Sequence, residues 1–342
     1  MLPFTLIYGF IVYLRNVAYD RGIFRSRSFE IPVISIGNLI VGGSGKSPMA
    51  EYLVRLLKEE KKVAVLSRGY GRRTKGFRLV EKDDDAADTG DEPLQFKRKF
   101  PEITVAVCEK RVEGIERLKA AHDVVILDDA FQHRAVRPGL NILLWDYTRL
   151  SEFMLPLPAG NLREGIGGSK RADLIVITKT PELLSLLEKQ TLRRKVRPCE
   201  HQPLFFSSLD YGNLIPLFSG EEIALSEAGK DTLIFLLTGI ANPAPLLEQL
   251  KVYFDEIRHH DYPDHHPFST KNIAKLADDF RLGRAKKKLI ITTEKDAQRL
   301  RTPELAQLLS LLPVYYLPVL ARIQKPDAGK FENLIKNYVS KY

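Results

Sequence analysis

Lys46 and Ser47 close the run VGGSGKSP, residues 41–48, and a cation next to a hydroxyl after three glycines is the combination that holds a nucleoside triphosphate. Gly42, Gly43 and Gly45, with Ser44 among them, allow a tight turn whose N–H groups point at phosphate oxygens ahead of a helix N-terminus. Lys46 is placed to reach the β and γ phosphates and the Ser47 hydroxyl to ligate Mg²⁺. Pro48 falls in the first helical turn, where a missing N–H costs little. One position is irregular: the glycine that normally begins such a loop is Ile40 here. The alternative is a tight strand-to-helix turn without a ligand. A phosphate loop also needs a carboxylate on a nearby strand to hold the metal, and DVVILDD supplies Asp128 and Asp129 directly after four apolar residues.

Phosphoryl transfer to an alcohol gains from a carboxylate or imidazole that accepts the hydroxyl proton. Asp91 and Glu92 of TGDEPLQF are candidates, as are the histidines of HHDYPDHHPF, residues 259–268. By spacing alone the histidine stretch reads equally as a surface loop or a weak metal site. LSRGYGRR sets Arg68, Arg72 and Arg73 among glycines, which fits an anion-binding loop or a flexible basic turn.

These groups need elements to hold them. The apolar runs IPVISIG, KVAVLS, ITVAV, DVVILDD, LNILLWD and ADLIVIT alternate with amphipathic helical stretches, the pattern of parallel strands covered on both faces. The expected fold is α/β, a doubly wound, mostly parallel sheet over residues 29–203. PLFFSSLDYGNLIPLFSG reads as a two-stranded hairpin linker, 204–221, and a smaller α/β domain follows over 222–342 with strands in TLIFLLTGI, KKLIITT and PVYYLPV. EKDDDAAD, residues 81–88, reads as a solvated acidic loop. Residues 1–28 stand apart. LPFTLIYGFIVYL is apolar almost throughout, with Arg15, Arg21, Arg25 and Arg27 after it, yet it falls short of the roughly 20 residues that span a bilayer. No basic residue precedes it and no small-x-small cleavage site follows, which argues against a secretory signal. Phe4, Ile7, Tyr8, Ile11 and Leu14 recur at helical spacing, so the segment suits a membrane-interface helix or a helix packed on the core.

The 342 residues carry 52 Lys and Arg against 43 Asp and Glu, a net charge of +9 that favours anionic partners without choosing among them. Scattered basic residues with no aromatic–basic motif argue against nucleic acid. Two distant cysteines, Cys108 and Cys199, suggest neither a disulfide framework nor a zinc site.

Taken together, GNLIVGGSGKSP, LSRGYGR, GDEP, LDDAFQHR, LPAGNLRE, TGIANP, YPDHHPFS and TTEKDA, in this order, resemble the tetraacyldisaccharide 4′-kinase family of lipid A biosynthesis nearly from end to end. The resemblance implies transfer of the γ-phosphate of ATP to the 4′-hydroxyl of an acylated glucosamine disaccharide 1-phosphate, at the cytoplasmic face of the bacterial inner membrane. It implies ATP and Mg²⁺ as cofactors, peripheral membrane contact and no obligate protein partner. Carried over by position, it gives Lys46 and Ser47 to the triphosphate and Mg²⁺, Asp128 and Asp129 to the metal, and Asp91 to the base, paired with His265. Arg163 and Glu164 are expected near phosphates and metal, and Arg68, Tyr70 and Gln132 along the site. The family commonly has threonine at Ser47, glycine at Ala130, and the same departure at Ile40.

Overall fold

The computed structural model describes residues 2–152 and 154–342. Its larger sheet has nine strands in the order Val319–Ile323, Leu204–Tyr211, Leu174–Thr178, Leu140–Asp146, Val33–Asn38, Val124–Leu127, Val63–Ser67, Thr104–Val107 and Arg78–Leu79. All neighbouring pairs are parallel except the two at the edges. The six apolar runs expected as strands are six of the seven inner ones, and most are buried along their whole length, as β-branched runs covered on both faces should be. Pairing of Ser35 with Leu127 sets the carboxyl ends of two central strands side by side, so the phosphate loop and Asp128–Asp129 emerge together. Ligands in open α/β sheets bind at such strand ends.

Behind the glycine loop, helix Lys46–Leu57 buries Met49, Ala50, Leu53, Val54 and Leu57, an apolar stripe at helical spacing that meets the sheet. Ile40 is buried with Leu39, Phe131, Trp145, Leu150 and Leu162. That position therefore carries a core side chain where other phosphate loops carry glycine.

The second sheet orders Ile257–Asp261, Leu233–Thr238, Lys288–Thr293, Val314–Leu317 and Ile215–Pro216, parallel but for the last strand. Ile257–Asp261 was not expected as a strand, because its sequence IRHHD lacks an apolar run.

The expected hairpin over 204–221 does not form. Leu204–Tyr211 extends the large sheet beside Leu174–Thr178, while Ile215–Pro216 edges the small one. The connection is two-stranded, but the antiparallel partner of Leu204–Tyr211 is Val319–Ile323, the strand returning from the second sheet. The boundary expected at 222–342 also shifts. Helix Ala328–Val339 packs Phe331, Ile335 and Val339 into the large-sheet core with Ile34, Met49 and Leu53. The signal for this lies about 300 residues away in sequence, out of reach of local pattern.

Helix Leu2–Asp20 inverts the usual amphipathic arrangement. Its polar side docks: Tyr8 donates to Arg163 O at 2.9 Å, Asn16 Nδ2 to Glu164 Oε2 at 2.9 Å, and Thr5 Oγ1 accepts from Ala159 N at 3.0 Å. Phe4, Leu6, Ile7, Phe10, Ile11, Tyr13 and Leu14 are all exposed, with Leu6 at 72%. Of the five spaced residues, Tyr8 turns inward and the other four outward. Among the described residues no helix is long and apolar enough to cross a membrane.

Candidate active site

Gly45 caps the loop helix in the left-handed region at φ 79°, and Gly42 stands at φ 103°, conformations that side-chain-bearing residues rarely adopt. Gly37 is required for a different reason: a Cβ there would lie 2.6 Å from Phe131 Cβ. Lys46 Nζ reaches back over the loop, 3.4 Å from Gly42 O, 3.5 Å from Asn38 Oδ1 and 3.7 Å from Asp129 Oδ1. Ser47 and Pro48 occupy the first helical turn, half-buried.

Asp128 is 1% exposed, and among the described residues neither of its carboxylate oxygens has a hydrogen-bond partner. Burial pushes its carboxyl up to about 7, with repulsion from Glu92 and Asp129 adding to it against the pull of Lys46 and Arg111. An orphaned buried carboxylate next to a phosphate loop calls for a cation. The same burial would raise Asp129, but Lys46 and Arg163 hold it below the usual carboxylate range, and Arg163 Nη1 lies 2.8 Å from Asp129 Oδ1.

The Glu164 carboxylate is met by three side-chain donors. Oε1 accepts from Arg171 Nη2 at 2.7 Å and Gln132 Nε2 at 3.1 Å, and Oε2 from Asn16. Through Asn16 it ties the N-terminal helix to the loop that follows Pro156. Among the described residues no three His, Cys, Asp or Glu side chains converge as a self-sufficient metal site. Gln132 Nε2 also donates to Asn38 O at 2.7 Å, at the start of the phosphate loop.

Across the cleft, Asp91 Oδ2 and His265 Nδ1 lie 3.0 Å apart although 174 positions separate them in sequence. Asp91 begins helix Asp91–Lys99, after Gly90 at φ 94°. His265 sits beyond the carboxyl end of strand Ile257–Asp261 at φ 58°, an unusual value for a residue with a side chain. Lys295 Nζ lies 3.0 Å from His265 Nε2, and Arg299 Nε 3.8 Å from Asp91 Oδ2. With an ammonium donating to Nε2, the neutral ring carries its proton on Nδ1 and donates to Asp91. Burial alone would raise the Asp91 carboxyl, but the His265 hydrogen bond, Lys295 and Arg299 bring it below its ordinary value. The same hydrogen bond to Asp91 raises His265, against burial and Lys295.

The histidine stretch thus divides. His259 pairs with Thr238 Oγ1 at 2.8 Å, His260 lies 3.5 Å from Asp279 and His266 meets Asn272 Oδ1 at 3.2 Å. Of these histidines only His265 reaches Asp91. The basic loop divides too: Arg72 pairs with Glu109 at 2.6 Å and Arg73 with Asp88 at 3.1 Å, both holding the loop itself, whereas Arg68 is exposed. The Tyr70 ring lies 5.3 Å from the His265 ring, at the edge of the dyad. The acidic run is partly structured: Asp85 caps the turn Ala86–Thr89 and Asp84 pairs with Arg78.

Sequence reasoning missed Lys295 and Arg299, which belong to TTEKDAQR and show their role only when helix Glu294–Arg299 packs against helix Asp91–Lys99. It also missed Arg111, 3% exposed, whose charge opposes those of Asp128 and Asp129 and whose guanidinium is lowered to about 10 by burial.

The sequence profile of LpxK, tetraacyldisaccharide-1-P 4′-kinase, matches residues 1–340. A tetraacyldisaccharide 4′-kinase of Phocaeicola vulgatus is 43% identical over 347 residues, covering 100% of this chain and 95% of the relative. One from Bacteroides thetaiotaomicron is 44% identical, covering 99% and 92%. A crystal structure of the "apo" form of LpxK from Aquifex aeolicus in complex with ATP superposes with a TM-score of 0.74 at 29% identity, over 99% of this chain and 98% of that one. Similarity of this degree over the whole length, on a chain whose phosphate loop and cross-domain dyad are both formed, is the mark of common descent with retained architecture: the chain belongs to the tetraacyldisaccharide 4′-kinase family, ATP-dependent phosphotransferases of lipid A biosynthesis.

Proposed function

We propose that the chain carries out its family's reaction, transfer of the γ-phosphate of ATP to the 4′-hydroxyl of tetraacyldisaccharide 1-phosphate, with Asp91 as the base, at the cytoplasmic surface of the inner membrane. The observation that carries the assignment of roles is the Asp91–His265 contact, because it joins a residue beside the nucleotide domain to one from the second sheet. Lys46 and the loop N–H groups hold the triphosphate. Ser47 and Asp128, with Asp129 beside it, are the groups that would hold Mg²⁺, which supplies charge neutralisation at the β and γ oxygens when bound. Asp91 accepts the hydroxyl proton, and its depressed carboxyl is suited to being ionised before the acceptor arrives. His265 Nδ1–H orients it, with Lys295 fixing the ring from the other side. Arg163 adds positive charge beside Asp129. Arg68 and Tyr70 border the entry for the sugar, and Gln132 braces the loop. Closure of the second unit over the first would exclude water, the competing acceptor.

The exposed apolar side of helix Leu2–Asp20 supports membrane seating. Burying half of each of its large side chains in lipid would contribute on the order of 1 kcal/mol apiece. Arg21 and Arg25, exposed just after it, suit anionic head groups. The deciding experiment is incubation with γ-labelled ATP and tetraacyldisaccharide 1-phosphate in mixed micelles. Label in the lipid is expected; label released only as inorganic phosphate would overturn the reading in favour of an ATPase.

A further inference from the structure

A phosphate loop works only if its N–H groups face the anion and its carbonyl oxygens do not. In this chain each carbonyl from Val41 to Ser44 is met by a side-chain donor. Arg149 Nη1 donates to Val41 O, and Lys46 Nζ lies 3.4 Å from Gly42 O. Lys179 Nζ donates to Gly43 O, and Thr178 Oγ1 lies 2.8 Å from Ser44 O, with Trp145 O further away at 3.2 Å. Lys46 has to move to the phosphates when nucleotide binds, so the lasting donors are Arg149, Thr178 and Lys179.

Two of these, Lys179 and Arg149, are themselves held. Lys179 stands at φ 57°, and its ammonium lies 2.7 Å from Asp146 Oδ2. Asp146 is 3% exposed, and its other oxygen accepts from Thr148 N at 3.0 Å. Arg149 is braced by Glu152, with Nη2 2.9 Å from Oε2, and Glu152 takes a further 2.7 Å hydrogen bond from Asn161 Nδ2. Gly42 makes room for this, since a Cβ there would stand 3.0 Å from Arg149 Nη1.

We infer that Lys179 and Arg149, with Thr178, are positioning residues for ATP: they hold the loop's carbonyls away from the anion and offset their negative dipoles, leaving to the triphosphate the N–H groups not bonded within the protein as those of Val41 and Ser44 are. The inference rests on this loop being the triphosphate site, and its first readout, equilibrium ATP binding, needs no lipid acceptor, whereas turnover is followed with the acceptor present. Equilibrium ATP binding by the full chain is measured for Lys179→Met, Arg149→Met and Lys179→Arg, together with KM for ATP, kcat and melting temperature. Loss of one charge-assisted hydrogen bond should weaken ATP binding by about tenfold or more. Lys179→Met and Arg149→Met are expected to raise KM for ATP by that factor with kcat within about twofold, and Lys179→Arg to recover most of the loss. Unchanged ATP affinity in both methionine variants would overturn the inference. So would a fall in kcat and melting temperature at unchanged KM, or an arginine variant no better than methionine, because each would mean the contacts serve only the fold. Should Lys179→Met fail to fold, Arg149→Met and Lys179→Arg still decide between these outcomes.

Discussion

At the residue scale, the site rests on opposite charges held at short range. On the role proposed for Asp91, Asp91→Asn keeps a hydrogen-bonding partner for His265 but removes the base. Such a loss commonly costs a factor of about 100 to 10,000 in kcat. The expected outcome is a fall of that size with ATP affinity nearly unchanged, checked by steady-state kinetics alongside ATP binding. The Asp91–His265 pair also makes a pH prediction. His265 is raised by its partner, so its contribution to stability is full below the ordinary imidazole value of about 6.5 and is lost as pH rises through the raised value. Asp91 is lowered, so its contribution is present above the ordinary carboxylate value of about 3.9 and is lost as pH falls through the lowered value. The gap in melting temperature between the native chain and His265→Gln should therefore be widest between about pH 4 and 6.5 and shrink toward pH 9. A gap independent of pH would count against the charge pair.

At the element scale, three helices meet around one lysine. Lys99 Nζ lies 2.7 Å from Glu51 Oε2, on the phosphate-loop helix, and 2.7 Å from Glu294 Oε2, on the helix that also carries Lys295 and Arg299. Glu51 is fully buried, and Gln95 Nε2 holds its other oxygen at 2.9 Å. Burial and the neighbouring Glu51 push Glu294 up to about 7 against Lys99. Lys99→Met would leave two buried carboxylates facing each other, a change that costs about 3 kcal/mol when a buried pair is broken. Chemical denaturation should show a loss near that size, and Glu294→Gln should restore part of it in the double variant. The N-terminal helix makes a separate prediction. Exchanging Phe4, Ile7, Phe10 and Ile11 for serine leaves Tyr8 and Asn16 docked, so vesicle binding is expected to fall severalfold while ATP affinity holds. Sedimentation with anionic vesicles checks this.

At the scale of the whole molecule, residues 213–318 are inserted between two neighbouring antiparallel strands. Tyr211 pairs with Val319, and Gly212 N donates to Pro318 O at 3.0 Å, so the chain leaves and re-enters the first unit at one point. Replacing 213–318 by a short turn should leave a cooperatively folding unit that still binds ATP but no longer phosphorylates lipid, since His265 and Lys295 go with the insertion. Circular dichroism melts and ATP binding test it. Truncation at residue 318 should by contrast fail to fold, because it strips Phe331, Ile335 and Val339 out of the first core.

The inner strands, the phosphate loop and the two aspartates after VVIL were legible in the sequence because each is a local pattern: a continuous apolar run, three glycines before Lys-Ser, a carboxylate pair at a strand end. Resemblance of the ordered motifs extended this to Asp91 and His265. Only the tertiary structure decided the rest. It turned the greasy side of the first helix outward, since polar groups at Tyr8 and Asn16 had specific partners on the domain; it returned the last helix to the first core; and it gave each carbonyl of the phosphate loop a donor. These outcomes depend on which surfaces meet at separations of tens to hundreds of residues, and side-chain spacing along a chain carries no information about such meetings.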